Sequence, residues 1–379
     1  MAIYLIALFG LMLYGGCANH NLTNKRKKRY IVFSFACLAI ISMLRSYNVG
    51  RDLQAHYYKT FLRVVNMDWN NLFTLGYENG YLVFYKIISM FTSDGQWMIA
   101  IHALIVIGIT GWFIYRNSEN VVMSTFLFIT TNTWFMYMTM MRQAMAVSFV
   151  LVALEIWKRK DWRIKRFVLY VLVVILAMQF HSSAFIAFII PIFDYLPFKR
   201  KHILISTIVM IASFALYNQL FKAVSLLQIG KRDYTEFYSS SGEAINIISL
   251  YFVFIYALIF IIGTVSLVYY KSEENQSSNL NVTDESGFSN SFILYMVLVL
   301  VVCRITGLKI NIMARMTYYF MPFVYILLPR AIAGFRNYSN KKIVKYSIYV
   351  LMTAAFVWLT YRSAASMYGT VPYQFYWEK

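Results

Sequence analysis

The sequence predicts an all-α fold, a polytopic bundle of about 12 transmembrane helices. Three observations predict it. Hydrophobic residues make up 60% of the chain and charged residues only 13%, whereas soluble domains carry roughly 25% charged residues. Apolar runs of near-membrane length recur from one end to the other. The basic residues, which give a formal charge of +19, concentrate in short connections between those runs, as the positive-inside rule requires. That placement makes membrane lipid, and no nucleic acid, the partner of the positive charge. The 31 Tyr and 31 Phe suit bilayer interfaces, and aromatic walls also suit sugar rings.

Taken in order, the run 2–17 has no basic segment before it and no small-residue cleavage site, so it reads as a first span rather than a removable signal. The run 30–46 follows the basic stretch Lys25-Arg26-Lys27-Lys28-Arg29. Further runs fall at 97–115, 121–138, 142–157, 167–180, 184–198, 203–222, 246–270, 291–307, 314–335 and 344–363. Several are shorter than the roughly 20 residues an untilted span needs. The loop Trp157–Arg166, the stretch Lys199-Arg200-Lys201 and the loop Arg330–Lys345 join the first basic stretch on one side, the cytoplasmic side. Both termini are then exoplasmic, as are Arg45–Glu78, Met141-Arg142, His181-Ser182 and Lys309–Arg315.

Residues 45–96 read as an outer loop whose short run 81–91 forms a re-entrant or interfacial helix, too short to cross. Residues 271–290, rich in Ser and Asn, read as a flexible cytoplasmic linker. Phe221–Glu243 is an outer connection. The whole of 1–379 is one integral membrane domain.

Two spacings locate a cavity. Phe167 to Phe198 would make about 48 Å of α-helix, too long for one span and short for two. The turn at His181-Ser182-Ser183 is therefore expected below the outer surface, where irregular backbone must be sheltered or line a cavity. The stretch Val121–Trp157 poses the same problem, with a polar middle of Thr130-Thr131-Asn132-Thr133 and Arg142-Gln143. Two sunken turns would floor an outward-facing cavity.

Polar residues at the ends of these runs are the candidates for chemistry, because a charge near mid-bilayer costs about 3 kcal/mol on insertion scales unless something receives it. Arg142 and Arg315 each open an apolar helix, beside Gln143 and beside Tyr318 and Tyr319. Either snorkels to lipid phosphate or presents a planar fork to phosphate oxygens. Arg45, Arg51 and Arg304 are possible further members of an anion clamp, Arg304 being the best fit to snorkelling. Asp52 follows Gly50, whose presence indicates a tight turn with close backbone approach. It pairs with an arginine or takes a proton from an attacking hydroxyl. Glu78 is a second carboxylate in the same region, in a chain with only 16 acidic residues. His181 precedes two hydroxyls at the expected sunken turn and reads either as a packed donor or as a general base.

Cys17, Cys37 and Cys303 show neither metal nor disulfide spacing. There is no Asp-x-Asp, no zinc-like His/Cys cluster and no Gly-x-Ser-x-Gly. No metal and no cofactor is expected.

Arg45, Asn48-Val49-Gly50-x-Asp52, Tyr57, Glu78-x-Gly80-Tyr81, Arg142-Gln143, His181-Ser182-Ser183-Ala184, Arg315 with Tyr318-Tyr319 and a terminal Pro372-Tyr373 together resemble the EpsG family of Wzy-type exopolysaccharide polymerases. The resemblance covers nearly the whole chain. It implies a multi-pass protein of the bacterial inner or plasma membrane with a GT-C-like fold. It also implies a metal-independent glycosyltransferase that polymerises undecaprenyl-diphosphate-linked oligosaccharide repeat units into capsule or exopolysaccharide. Its pathway partners would be a flippase and a chain-length regulator. The expected catalytic residues are Asp52, Arg142, His181 and Arg315. Arg45, Asn48, Gly50, Arg51, Tyr57, Glu78, Gln143, Ser182, Ser183, Tyr318 and Tyr319 are expected to bind substrate. The resemblance departs at 222–245, where only Lys231-Arg232 stands in place of the arginine-rich loop of O-antigen polymerases. Competing readings are a lipid-linked oligosaccharide flippase or transporter and a membrane O-acyltransferase.

Overall fold

The computed structural model describes residues 1–18, 23–159, 163–217, 219, 247–270, 287–335, 337–362 and 368–378. Most of the expected linker 271–290 and the outer connection 221–243 lie outside these residues. Among the described residues the protein is helical, with no strand beyond one isolated bridge between Arg45 and Phe375.

The long helices match the apolar runs in order. They are α1 (Ala2–Ala18), α2 (Asn24–Met43), then three short helices α3 (Tyr58–Val65), α4 (Trp69–Leu72) and α5 (Asn79–Ser89), followed by α6 (Gly95–Asn117). Next come α7 (Val121–Thr130), α8 (Thr133–Thr139), α9 (Met141–Trp157), α10 (Arg163–Met178), a 3-10 helix (Ser182–Tyr195) and α11 (Lys201–Ala215). The chain finishes with α12 (Ile247–Thr264), α13 (Asn290–Thr306), α14 (Asn311–Met316), a 3-10 turn (Thr317–Tyr319), α15 (Met321–Gly334) and α16 (Tyr338–Arg362).

Three helices, Gly95–Asn117, Ile247–Val268 and Ser339–Arg362, are long and apolar enough to cross a membrane individually. The other apolar helices are shorter, and the runs 121–138 and 314–335 are broken internally. Exposed faces of the bundle are apolar: Ile6 and Leu13 on α1, Phe167 and Leu172 on α10, Leu204 and Ile211 on α11 and Val350 on α16 all face outward. Such faces suit a lipid environment.

The two expected sunken turns have different fates. In the first, Asn132 adopts a left-handed conformation between α7 and α8 with φ 60°. Thr130, Thr131, Asn132 and Thr133 are all buried. The Tyr325 hydroxyl donates to Thr133 Oγ1 at 2.5 Å and lies 3.3 Å from Thr131 Oγ1. This break is packed against protein, which corrects the Thr130–Thr133 half of that expectation; the other half, Arg142-Gln143, lies past the next break, in the first turn of α9. The second break, at His181, opens toward polar groups. Its following limb is a 14-residue 3-10 helix, which rises about 2.0 Å per residue. It therefore reaches about 28 Å, near the ~30 Å hydrocarbon thickness, where an α-helix of that length would stop near 21 Å.

The two ends of the bundle are chemically distinct. At one end the C-terminal segment folds back over the start of the chain. Tyr4 donates to Thr370 O at 2.7 Å, Gly50 N to Gly369 O at 2.7 Å and Tyr373 to Ile41 O at 2.7 Å. At the other end a polar latch centred on buried Glu155 ties α2, α6, α9 and α15 to the connections after α6 and before α13. Glu155 accepts from Arg116 at 2.6 Å and from Asn117 at 2.5 Å, and pairs with Lys158 at 3.2 Å. Lys27 donates to Ser118 O at 2.7 Å, and Arg330 meets Glu119 at 3.2 Å and Phe288 O at 2.8 Å.

Candidate functional site

The site lies at the end that carries the C-terminal return. It forms where α5, α9, the His181 turn and α14 converge. Glu78 caps α5 with extended backbone, φ −62° and ψ 140°. The α5 start docks directly on the turn after α10: Tyr81 N donates to Gln179 O at 3.0 Å. Gly80 permits this approach, since a Cβ there would stand 2.7 Å from Gln179 Cβ and 3.0 Å from its carbonyl oxygen. With the two segments locked, the Glu78 carboxylate reaches both neighbours. Oε2 pairs with Arg142 Nη1 in the first turn of α9. Oε1 accepts from Ser182 N at 3.3 Å and stands 3.6 Å from His181 Nδ1.

Arg142 is caged by aromatics. Its guanidinium lies 5.0 Å from the Tyr77 ring centroid, 5.8 Å from Tyr81 and 5.9 Å from Tyr57. Its Nε is buried without a hydrogen-bond partner. Arg315 is drawn in through the backbone: Gln143 Nε2 donates to Arg315 O at 2.8 Å. Among the described residues no carboxylate lies within ion-pair reach of Arg315. Tyr57, buried, lies within electrostatic range of Arg142, Asp52 and Arg315 together. Ser183 Oγ meets the Tyr319 hydroxyl at 2.9 Å. The structure thus gathers Glu78, Arg142, Gln143, His181, Ser182, Ser183, Arg315, Tyr57 and Tyr319, with Asp52 on the Tyr57 side.

The electrostatics follow from this packing. Burial raises the Glu78 carboxyl, but His181 and Arg142 outweigh it and hold the group down at about 2. Glu78 is therefore ionised at any physiological pH. Burial pushes the His181 imidazole below its ordinary value, and Arg142 and Arg315 act in the same direction against Glu78. His181 is thus neutral near pH 7, the form that accepts a proton. Its Nδ1 has no hydrogen-bond partner, and a closure of about half an ångström onto Glu78 would fix the tautomer and leave Nε2 as the base. The Tyr57 phenol is raised by burial and remains protonated.

Other sequence candidates sit elsewhere. Arg45 is a correction: it is 1% exposed and donates to Ser42 O at 2.5 Å and Met138 O at 3.2 Å. It ties α2 to α8 and is not a member of an anion clamp. Its neighbours are Tyr4, Tyr373 and Tyr85. Gly50 serves backbone geometry, with φ +123° and Met138 O only 2.8 Å from where a Cβ would stand. Asn48 and Arg51 are exposed on the turn between α2 and α3, and Asn48 Oδ1 accepts from Gln54 at 3.3 Å. Tyr318 turns away from the cluster toward Tyr368, hydroxyl to hydroxyl at 3.4 Å.

The sequence reading passed over Tyr77 and Gln179. Tyr77 stands beside Glu78, and a second aromatic next to a proposed arginine partner was the available signal. Gln179 acts through backbone, which side-chain type does not reveal. The run 81–91 corresponds to the 11-residue α5, about 16 Å long, which buries Tyr81, Leu82, Tyr85 and Ile88. Among the described residues no three His, Cys, Asp or Glu side chains gather as metal ligands.

No curated protein and no solved structure matches the chain. The family model of the EpsG family matches residues 28–375, which spans α2 to the C-terminal return and every element of the site. The chain belongs to the EpsG family.

Proposed function

We propose that this protein polymerises undecaprenyl-diphosphate-linked oligosaccharide repeat units into capsular polysaccharide or exopolysaccharide at the outer face of the bacterial cell membrane. Membership of the EpsG family supports a polysaccharide polymerase role. One observation supports carrying the reading to a reaction: a neutral imidazole lies within electrostatic range of two guanidiniums, one of them without a carboxylate partner among the described residues, at one end of the bundle.

The acceptor is a sugar hydroxyl. Its oxygen bonds to the anomeric carbon of the donor glycan as its proton passes to His181. The bond from that carbon to the diphosphate oxygen breaks, and the electron pair leaves with the diphosphate. Arg142 and Arg315 meet the developing charge as preorganised donors in a partly dry site. Direct displacement inverts the anomeric centre. Glu78 holds Arg142 and aims His181, and the tyrosines around Arg142 offer ring faces to sugars. Asp52, near Tyr57, orients the acceptor. The arrangement needs no metal at the diphosphate. Twelve spans, exoplasmic termini and a GT-C-like architecture belong to this proposal, as do a flippase and a chain-length regulator as pathway partners.

A transporter would have to open both ends of the bundle. The Glu155 latch closes the end opposite the site, so one-sided access is the better fit. Mass analysis of lipid-linked glycans after deletion of the gene tests the class. Polymer loss with single repeat units accumulating on lipid is the expected result, and an unchanged ladder overturns it. Purified protein given lipid-linked units separates elongation from mere movement.

A further inference from the structure

Another cationic group lies inside the bundle and, among the described residues, belongs to no ion pair. Arg304, two residues before the end of α13, is 8% exposed. Its guanidinium stacks 4.6 Å from the ring centroid of Phe252 on α12. Among the described residues it makes no ion pair, and its buried Nε has no hydrogen-bond partner. A snorkelling arginine lays its stem on apolar surface but keeps its charged head at the exterior, whereas Arg304 is buried within the protein. A buried charge without a counterion opposes folding unless a ligand supplies one.

Among the described residues the surroundings are phenols, and no carboxylate pairs with the guanidinium. Tyr256 on α12 and Tyr368 in the C-terminal return both lie within electrostatic range of the guanidinium. Tyr318 meets Tyr368 at 3.4 Å. All three rings are buried. Phenol faces stack on sugar rings, their hydroxyls bond sugar or phosphate oxygens, and a guanidinium fork matches a phosphate. This pocket also shares a wall with the first site. The 3-10 turn Thr317–Tyr319 sends Tyr318 toward Tyr368 and the adjacent Tyr319 toward Ser183.

We infer that Arg304, with Tyr256, Tyr318 and Tyr368, forms a second anion subsite that takes the sugar-phosphate end of a second glycolipid. This rests on the polymerase reading: a transfer between two lipid-linked glycans involves two diphosphates, one that leaves and one that stays. The pocket around Arg142 and Arg315 handles the first. The Arg304 pocket holds the second and so sets the affinity for the acceptor.

The test is stoichiometric. Full-length protein in nanodiscs of neutral lipid is titrated with undecaprenyl diphosphate, and bound molecules are counted by native mass spectrometry. Wild type is expected to bind two, Arg304→Gln one, with the lost site weakened at least tenfold, and Arg304→Lys two at intermediate affinity. Arg142→Lys should weaken the other site and leave this one. Without ligand, Arg304→Gln should melt no lower than wild type, because it removes an uncompensated charge; a structural arginine would lower the melting point. Two molecules bound with Arg304→Gln, or one with wild type, overturns the subsite. Equal displacement by phosphatidylglycerol would make it a phospholipid headgroup site and also overturn it. Elongation by wild type that persists with unchanged acceptor KM in Arg304→Gln sinks the subsite alone. Absence of both elongation and binding in wild type sinks the polymerase reading beneath it.

Discussion

Glu78 and Arg142 pair across 64 residues of sequence, joining the cap of α5 to the first turn of α9. The carboxylate also meets Ser182 N and faces His181, so one residue sets the position of both a cation and a base. The pair is more than four-fifths buried on each side. Breaking such a pair from one side leaves a charge with neither water nor partner.

Glu78→Gln should therefore destabilise the purified protein by roughly 3 kcal/mol, and Glu78→Gln with Arg142→Gln should recover part of that loss. A denaturant melt of the four-member cycle measures it; additive losses would mean the contact carries no coupling. The pH dependence has a definite sign. The folded-state value of Glu78 is depressed to about 2, so its contribution is complete above the ordinary carboxylate value near 4.3. It fades as pH falls toward 2.

Arg142→Lys keeps a charge but replaces a fork with a point donor. It also disturbs the contacts with Tyr77, Tyr81 and Tyr57. Loss of one preorganised donor to a developing anion lowers kcat by roughly 100-fold. Polymer length in a complemented deletion strain is the readout. Wild-type chain length in that strain would remove Arg142 from the clamp.

His181 should give polymerisation an acid limb. Burial lowers its imidazole, so the limb falls below the ordinary value of about 6.5, and activity rises as pH climbs through it. Glu78 opposes that lowering; its residual activity in Glu78→Gln should show the limb moved to still lower pH. His181→Ala should have no such limb and should leave single units on lipid. A pH profile identical to wild type in His181→Ala would make the histidine a packing residue.

Gly80→Ala tests how the site is assembled rather than what it does. The new methyl would press on Gln179 Cβ and its carbonyl oxygen, and overpacking of this kind costs roughly 1–3 kcal/mol. The start of α5 should lift from the His181 turn and carry Glu78 with it. Gln179→Gly in the same chain removes one of the two clashes, so partial recovery of chain length is expected. No effect of the single change would mean that the α5 cap is not held by this contact.

Helix order was legible in the sequence because apolar length and loop charge are local properties. The runs 97–115 and 142–157 became α6 and α9 with ends shifted by two residues or fewer. Part of the site was legible for a related reason: charges at Arg142 and Arg315 stand out against oily helices. Their partners were not. Arg45 has the same sequence character as Arg142, yet it satisfies carbonyls of Ser42 and Met138. Which buried arginine meets a carboxylate and which meets backbone depends on helix packing, which periodicity does not encode. Thr130–Thr133 looked like a second cavity floor because its polarity is visible, while Tyr325, which packs against it, lies nearly 200 residues away. Arg304 looked like a snorkeling residue because its burial against Phe252 comes from another helix.

Sidedness is the last consequence and the one on which access for lipid-linked substrate depends. The C-terminal return contacts Leu44, Ser46 and Gly50, so those residues share an end with the chain's terminus and with the site. The Lys27–Ser118 and Arg330–Glu119 contacts mark the opposite end, and that end carries the basic loops that the positive-inside rule assigns to the cytoplasm. In a chain with Cys17, Cys37 and Cys303 replaced, Tyr47→Cys, at a side chain 44% exposed, should react with an impermeant maleimide in intact cells. Lys201→Cys at the start of α11 should react only after permeabilisation. The reverse pattern would put His181 and both arginines on the cytosolic face, where a lipid-linked repeat unit already moved outward would never meet them.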